Sequence, residues 1–69
     1  MKKKIYIEGM SCMHCSARVK KTLEGLAGVT SAEVDLEGKF AVIEATSAPS
    51  DAEIKAAIED AGYEVKGIE

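Results

Sequence analysis

The sequence predicts an α+β domain, a four-stranded antiparallel sheet with two helices packed on one face. Three observations carry this expectation. Apolar residues recur at regular spacings throughout the chain. Read in order, the periodic segments run strand, helix, strand, strand, helix, strand. Gly9, Gly28, Glu37-Gly38, Pro49 and Gly62 punctuate the boundaries between them. At 69 residues the chain is expected to be one domain, 1–69, near the lower limit at which a hydrophobic core alone sustains a fold.

The first strand is Lys3 to Glu8. It alternates, with Ile5 and Ile7 on one face and Lys4, Tyr6 and Glu8 on the other. Gly9 breaks it and opens a loop. From Ser16 to Leu26, Val19, Leu23 and Leu26 recur at helical spacing while Arg18, Lys20, Lys21 and Glu24 face outward. Gly28 is the expected stop. Val29 to Leu36 reads as a second strand with Ala32, Val34 and Leu36 on one face. Glu37-Gly38 signals a tight turn into a third strand, Lys39 to Ala45, so the two form a hairpin. Pro49-Ser50-Asp51-Ala52-Glu53 has the make-up of a helix start. Ser50 is placed to cap, Glu53 to complete a capping box, and Asp51 to face the positive end of the helix dipole. Ile54, Ala57, Ile58 and Ala61 form that helix's apolar stripe, Gly62 ends it, and Tyr63 to Ile68 is the last strand. The order β-α-β-β-α-β is the ferredoxin-like arrangement, with the first and third strands central.

Composition narrows the function classes. The 30% of charged residues suits a soluble domain, and no apolar run approaches the ~20 residues that cross a bilayer. Met1-Lys2-Lys3-Lys4 begins like a signal peptide, but Glu8 and Gly9 break the apolar stretch after it. The expected location is therefore the cytoplasm, with no membrane insertion. Charge is segregated. Residues 1–21 carry six basic side chains against Glu8 alone, whereas residues 22–69 carry three basic against eleven acidic. The basic segment is either a solvated face or a docking face for an acidic partner, with Arg18, Lys20 and Lys21 as its surface on the first helix. Nucleic acid is not expected as a partner, because the pI is acidic and aromatics are few.

Chemistry concentrates in Gly9-Met10-Ser11-Cys12-Met13-His14-Cys15, which holds both cysteines of the chain. A disulfide across so short a loop removes little chain entropy, and in a reducing cytosol a C-x-x-C pair reads as metal-binding or redox-active. Two thiolates satisfy soft, low-coordinate Cu(I). Their place at a helix start, with Lys and Arg on that helix, favours the thiolate form. Zn(II) prefers four ligands, and His14, lying between the cysteines, is poorly placed to turn inward with them. An iron–sulfur cluster wants four cysteines.

Gly-Met-Ser-Cys-Met-His-Cys, with Ala-Gly-Tyr-Glu-Val near the end, resembles the heavy-metal-associated domain, and most resembles bacterial copper chaperones of the CopZ type. The resemblance covers essentially the whole chain. It implies a non-enzymatic carrier that binds one Cu(I) in the cytoplasm. It also implies transfer by thiolate exchange to the metal-binding domain of a copper-transporting P-type ATPase. It makes Cys12 and Cys15 the ligands, packs Met10 under the loop, and sets Tyr63 near the metal. Ser11 stands where zinc-exporting relatives often carry an acidic residue. Met13 is expected to be exposed, as a weak soft ligand or a partner contact. His14 is read as a solvent-facing side chain that tunes the loop, or as a ligand from a second molecule in a metal-bridged homodimer. Tyr63 either caps the core or shields the metal with its hydroxyl.

Three rivals remain. A thiol oxidoreductase would cycle the same cysteines, but the chain is short for a thioredoxin fold, and its one proline starts a helix. A module of a transport ATPase would have the same site; starting at Met1 and ending just after the last strand favours a free-standing chaperone. A Zn(II) or Hg(II) carrier would share the ligand pair.

Overall fold

The computed structural model describes residues 2–10, 13–47 and 49–69. Six elements appear in the expected order: β1 (Lys2–Glu8), α1 (Met13–Glu24), β2 (Val29–Asp35), β3 (Phe40–Ala45), α2 (Asp51–Asp60) and β4 (Glu64–Ile68). The sheet is antiparallel throughout with order β2-β3-β1-β4, so the first and third strands are central. This is the ferredoxin-like fold. No helix among the described residues is long and apolar enough to cross a membrane.

The core lies between the sheet and the helices. Ile5 and Ile7 of β1, Ala32 of β2, and Ala41 and Ile43 of β3 meet Val19 and Leu23 of α1 and Ile54 and Ile58 of α2, all buried. On the opposite face Tyr6 and Phe40 pair edge-on at 6.3 Å between ring centroids, and the Lys4 ammonium sits 4.2 Å from the Phe40 centroid. The alternation along β1 is therefore a division between a buried apolar face and a half-covered amphipathic one.

Helix α1 starts three residues earlier than Ser16 and ends at Glu24, before Leu26. Cys15, Val19 and Leu23 are spaced by four, and Cys15 packs half-buried against the core. It is the first position of the apolar stripe, so packing favours winding the helix back through it. Gly28 does not stop this helix. The chain leaves it at Gly25, whose N–H is shared between the carbonyls of Lys21 and Thr22, 3.1 and 3.3 Å away. Gly28 instead turns the chain into β2 at φ +89°, where its carbonyl accepts the Thr46 N–H at 2.9 Å.

The hairpin turn also differs from its expected form. Gly38 is not the left-handed residue; Lys39 is, at φ 60°. The Asp35 carboxylate accepts the Gly38 N–H at 2.8 Å and closes the turn early, so the next residue crosses into the left-handed region to rejoin the register at Phe40. Gly38 is needed for room, because a Cβ there would collide with Cε2 and Cδ2 of Phe40.

Helix α2 follows its sequence closely. Ser50 Oγ accepts the Glu53 N–H at 3.2 Å, with Asp51 and Glu53 in the first turn. At the other end the Tyr63 N–H bonds to the Ile58 carbonyl and the Gly62 N–H to that of Glu59, with Gly62 at φ +98°. This is a Schellman ending. It delays the last strand by one residue, to Glu64, and leaves Tyr63 in the connection. Within β4 the register slips, since Tyr6 faces Gly67 while Ile7 faces Val65. The bulge at Lys66 puts Val65 and Ile68, three apart, against the same core.

Candidate metal centre

At the end of β1 the backbone turns at Gly9, with φ +101°. Met10 comes next, only 7% exposed and part of the core cluster. Ser11 and Cys12 lie outside the described residues. Helix α1 opens with Met13, which is 80% exposed, and His14, also exposed. Cys15 sits in the first helical turn, where Ser16 Oγ donates to the Met13 carbonyl at 2.9 Å. No acidic side chain occupies that turn. The positive end of the helix dipole faces the thiol and favours a thiolate.

Tyr63 arrives from the far end of the sequence. The Schellman ending of α2 delivers it, and the pairing of Glu8 with Glu64 fixes the start of β4 beside the end of β1. Its ring lies over Gly9, where a Cβ would stand 3.5 Å from Tyr63 Cδ1. The Cys15 sulfur and the Arg18 guanidinium both act on the Tyr63 hydroxyl. The hydroxyl holds its proton above the ordinary tyrosine range. The hydrogen bond to Cys15 is the main cause, followed by burial and the Cys15 charge, with Arg18 opposing.

Cys15 and Tyr63 thus both pack against the core cluster that contains Met10, and Cys15 and Arg18 both act on the Tyr63 hydroxyl. Arg18, Lys20 and Lys21 are all exposed on α1, and Arg18 and Lys21 line an open groove with Ala17 and Thr22. Among the described residues no three His, Cys, Asp or Glu side chains come together. Sequence reasoning reads Arg18 as a docking-surface charge and, with the lysines of its helix, as positive potential near the thiols, but does not foresee its action on Tyr63. Its position three residues after Cys15, hence on the same side of the helix, is the available sign of its contact with the site. Lys66 also escapes it. That side chain spans the β1–β4 seam behind the site, 2.8 Å from Glu8 and 3.5 Å from Glu64.

Comparison with known proteins bears on the family and the fold. The family profile of the heavy-metal-associated domain matches residues 4–64. A "Copper chaperone CopZ" of Staphylococcus aureus is 48% identical over 60 residues, covering 86% of this chain and 88% of that protein. "Copper-transporting ATPase 1" of Rhizobium meliloti is 45% identical over 62 residues, which is 90% of this chain but 8% of the ATPase. Among solved structures, a "CopZ metallochaperone" superposes with a TM-score of 0.87 at 39% identity, covering 94% of this chain and 98% of that one. With its fold, its cysteine loop and a profile match over most of its length, the chain belongs to the heavy-metal-associated domain family.

Proposed function

We propose that this protein is a cytoplasmic Cu(I) metallochaperone, one heavy-metal-associated domain over residues 1–69 and not an enzyme. It holds one Cu(I) between the thiolates of Cys12 and Cys15. It passes the ion by ligand exchange to the metal-binding domain of a copper-transporting P-type ATPase. The observation that carries this reading is the 48% identity to a copper chaperone along 88% of that relative's length. The chemistry of the site supports it. A thiol in the first turn of a helix faces the positive end of the helix dipole, which favours the thiolate that binds metal. Two such sulfurs suit a soft ion of low coordination number.

Exchange needs the ion to leave one thiolate as it gains another. An exposed Met13 and His14 beside Cys15 leave room for an incoming ligand on the solvent side. The related segment of the ATPase supplies the partner's character. Between two sites of like build the ion moves with little net change in free energy, so direction comes from what removes it downstream. The same relationship favours a second reading, in which the chain is itself a module of such an ATPase; the ligand chemistry would be unchanged.

The test is an anaerobic competition titration against a Cu(I) chelator and then Zn(II), on the wild type and on Cys12→Ser/Cys15→Ser. One Cu(I) per chain, lost in the double variant and not displaced by zinc, is expected. Preferred zinc binding or ready catalytic disulfide exchange would overturn the reading.

A further inference from the structure

Strand β4 meets β1 at the root of the cysteine loop. Glu8 and Glu64 form the last pair of that ladder and stand directly opposite each other. Beyond them come Gly9, which opens the loop, and Tyr63. The place of a Gly9 Cβ lies 3.5 Å from Tyr63 Cδ1 and 3.9 Å from its Cα, so the two residues abut. Like charges facing each other across a sheet push the strands apart. The ladder therefore ends on a repulsion at the point where Tyr63 is held against the loop root. The Lys66 ammonium offsets it, 2.8 Å from Glu8 and 3.5 Å from Glu64.

The bulge puts Lys66 there. With Ile7 opposite Val65 and Glu8 opposite Glu64, an unbroken ladder would set Lys66 opposite Tyr6. Gly67 takes that place instead, where a Cβ would stand 3.9 Å from Tyr6 Cδ2, and Lys66 is the extra residue. A bulge re-aims the side chain it carries, and this one is aimed back at Glu8. The Glu8 carboxyl responds. Lys66 holds it below its usual range, first by a hydrogen bond and then by charge, and Lys39 adds a smaller pull.

We propose that Lys66 is a positioning residue for Tyr63 and the loop root. It neutralises the facing carboxylates of Glu8 and Glu64, closes the last pair of the β1–β4 ladder, and so keeps Tyr63 on Gly9. An exposed ion pair adds little to global stability. Its effect here is local, because it acts on the final pair of a strand. Tyr63 packs on the same core as Cys15, so a loosened seam moves a neighbour of the metal centre. The bearing on ion release rests on the chaperone reading above; the clamp itself does not, and is testable without metal.

The experiment uses the metal-free, reduced full chain and reads the NMR shifts of the Gly9 α-protons, which the Tyr63 ring current displaces. Tyr63→Leu supplies the ring-free reference. Lys66→Gln is expected to move the Gly9 shifts toward that reference and to speed amide exchange at Glu8 and Glu64 about threefold. The Glu69 amide, bonded to the Lys4 carbonyl at the other end of the seam, should keep its rate. Lys66→Arg should retain the parent's values. In a Glu8→Gln/Glu64→Gln background there is no repulsion to offset, so Lys66→Gln should change nothing further. Unmoved Gly9 shifts in Lys66→Gln would overturn the clamp. So would an equal movement in the background without the carboxylates, which would assign the effect to packing of the lysine stem. In the copper-loaded protein, Lys66→Gln should speed loss of Cu(I) to a chelator about twofold at unchanged stoichiometry; an unchanged rate would overturn the link to the ion. Failure of copper binding in the competition titration would remove the chaperone reading and leave the NMR result standing.

Discussion

At Gly28 there is no space for a side chain. A Cβ there would collide with the backbone oxygen of Ser47, in a conformation, φ +89°, that L side chains rarely adopt. Gly28→Ala should destabilise the domain by more than about 1 kcal/mol, read from a denaturant midpoint at unchanged slope. An unchanged midpoint would mean that the segment joining β3 to α2 moves aside at no cost. Tyr63 gives a prediction of another kind. In Tyr6→Phe, which leaves one tyrosine, phenolate absorbance should titrate above the usual value of about 10. Removing the Cys15 thiol takes away the main cause of that rise, so Cys15→Ser should bring the midpoint down. Removing Arg18 takes away a cation that favours the phenolate, so Arg18→Gln should move the midpoint further up. A midpoint at the ordinary value in the parent would contradict the hydrogen bond.

Among the elements, α2 is the one whose ends are most completely specified. Ser50 caps it by accepting the Glu53 N–H, and Gly62 closes it in the left-handed region. Ser50→Ala should cost about 1 kcal/mol, and Ser50→Asp should recover most of that; both are read from thermal unfolding. The cap also stands beside an ion pair that ties the helix to β1, Lys3 to Asp51 at 2.6 Å, with Lys3 donating to the Pro49 carbonyl as well. Strand β4 is held differently. Its bulge leaves Lys66 over Glu8 and Glu64, and Lys66 holds the Glu8 carboxyl below its usual range through a hydrogen bond and then its charge. A depressed carboxyl stabilises the fold above its unfolded pKa and loses that contribution as pH falls through the folded one. Both groups are exposed, so the contribution is small and screened by salt.

For the molecule as a whole, charge and chemistry coincide. The basic side chains of the first 21 residues share their part of the chain with Cys12 and Cys15, while the remainder is strongly acidic. Such a division orients encounter with a partner more than it strengthens the complex. Lys20→Glu/Lys21→Glu should slow Cu(I) transfer to an acidic acceptor domain at low salt by about tenfold. The deficit should shrink as ionic strength rises, and Cu(I) affinity should hold. Equal transfer rates at low salt would place docking elsewhere.

The order of the elements, their buried faces and the caps of α2 come from the sequence by itself, because each rests on spacing between neighbours. Ile5 and Ile7 alternate whatever surrounds them, and Ser50 caps three residues on. The expectation that Cys12 and Cys15 hold a soft metal is equally local; Cys12 itself lies outside the described residues. The features that sequence does not reveal depend on contacts between segments far apart in the chain. The start of α1 is misplaced by sequence because Cys15 reads as chemistry and not as the first residue to pack on the core. Gly28 and Gly38 read as a helix stop and a turn glycine, whereas each is required by the approach of a distant or neighbouring group, Ser47 and Phe40. The bulge at Lys66 has no local signature, since it exists only against β1. The meeting of Tyr63, Cys15 and Arg18 is decided by tertiary structure alone. The antiparallel pairing of β4 with β1 and the exit from α2 bring Tyr63 against the same core as Cys15, close enough for the two to act on each other.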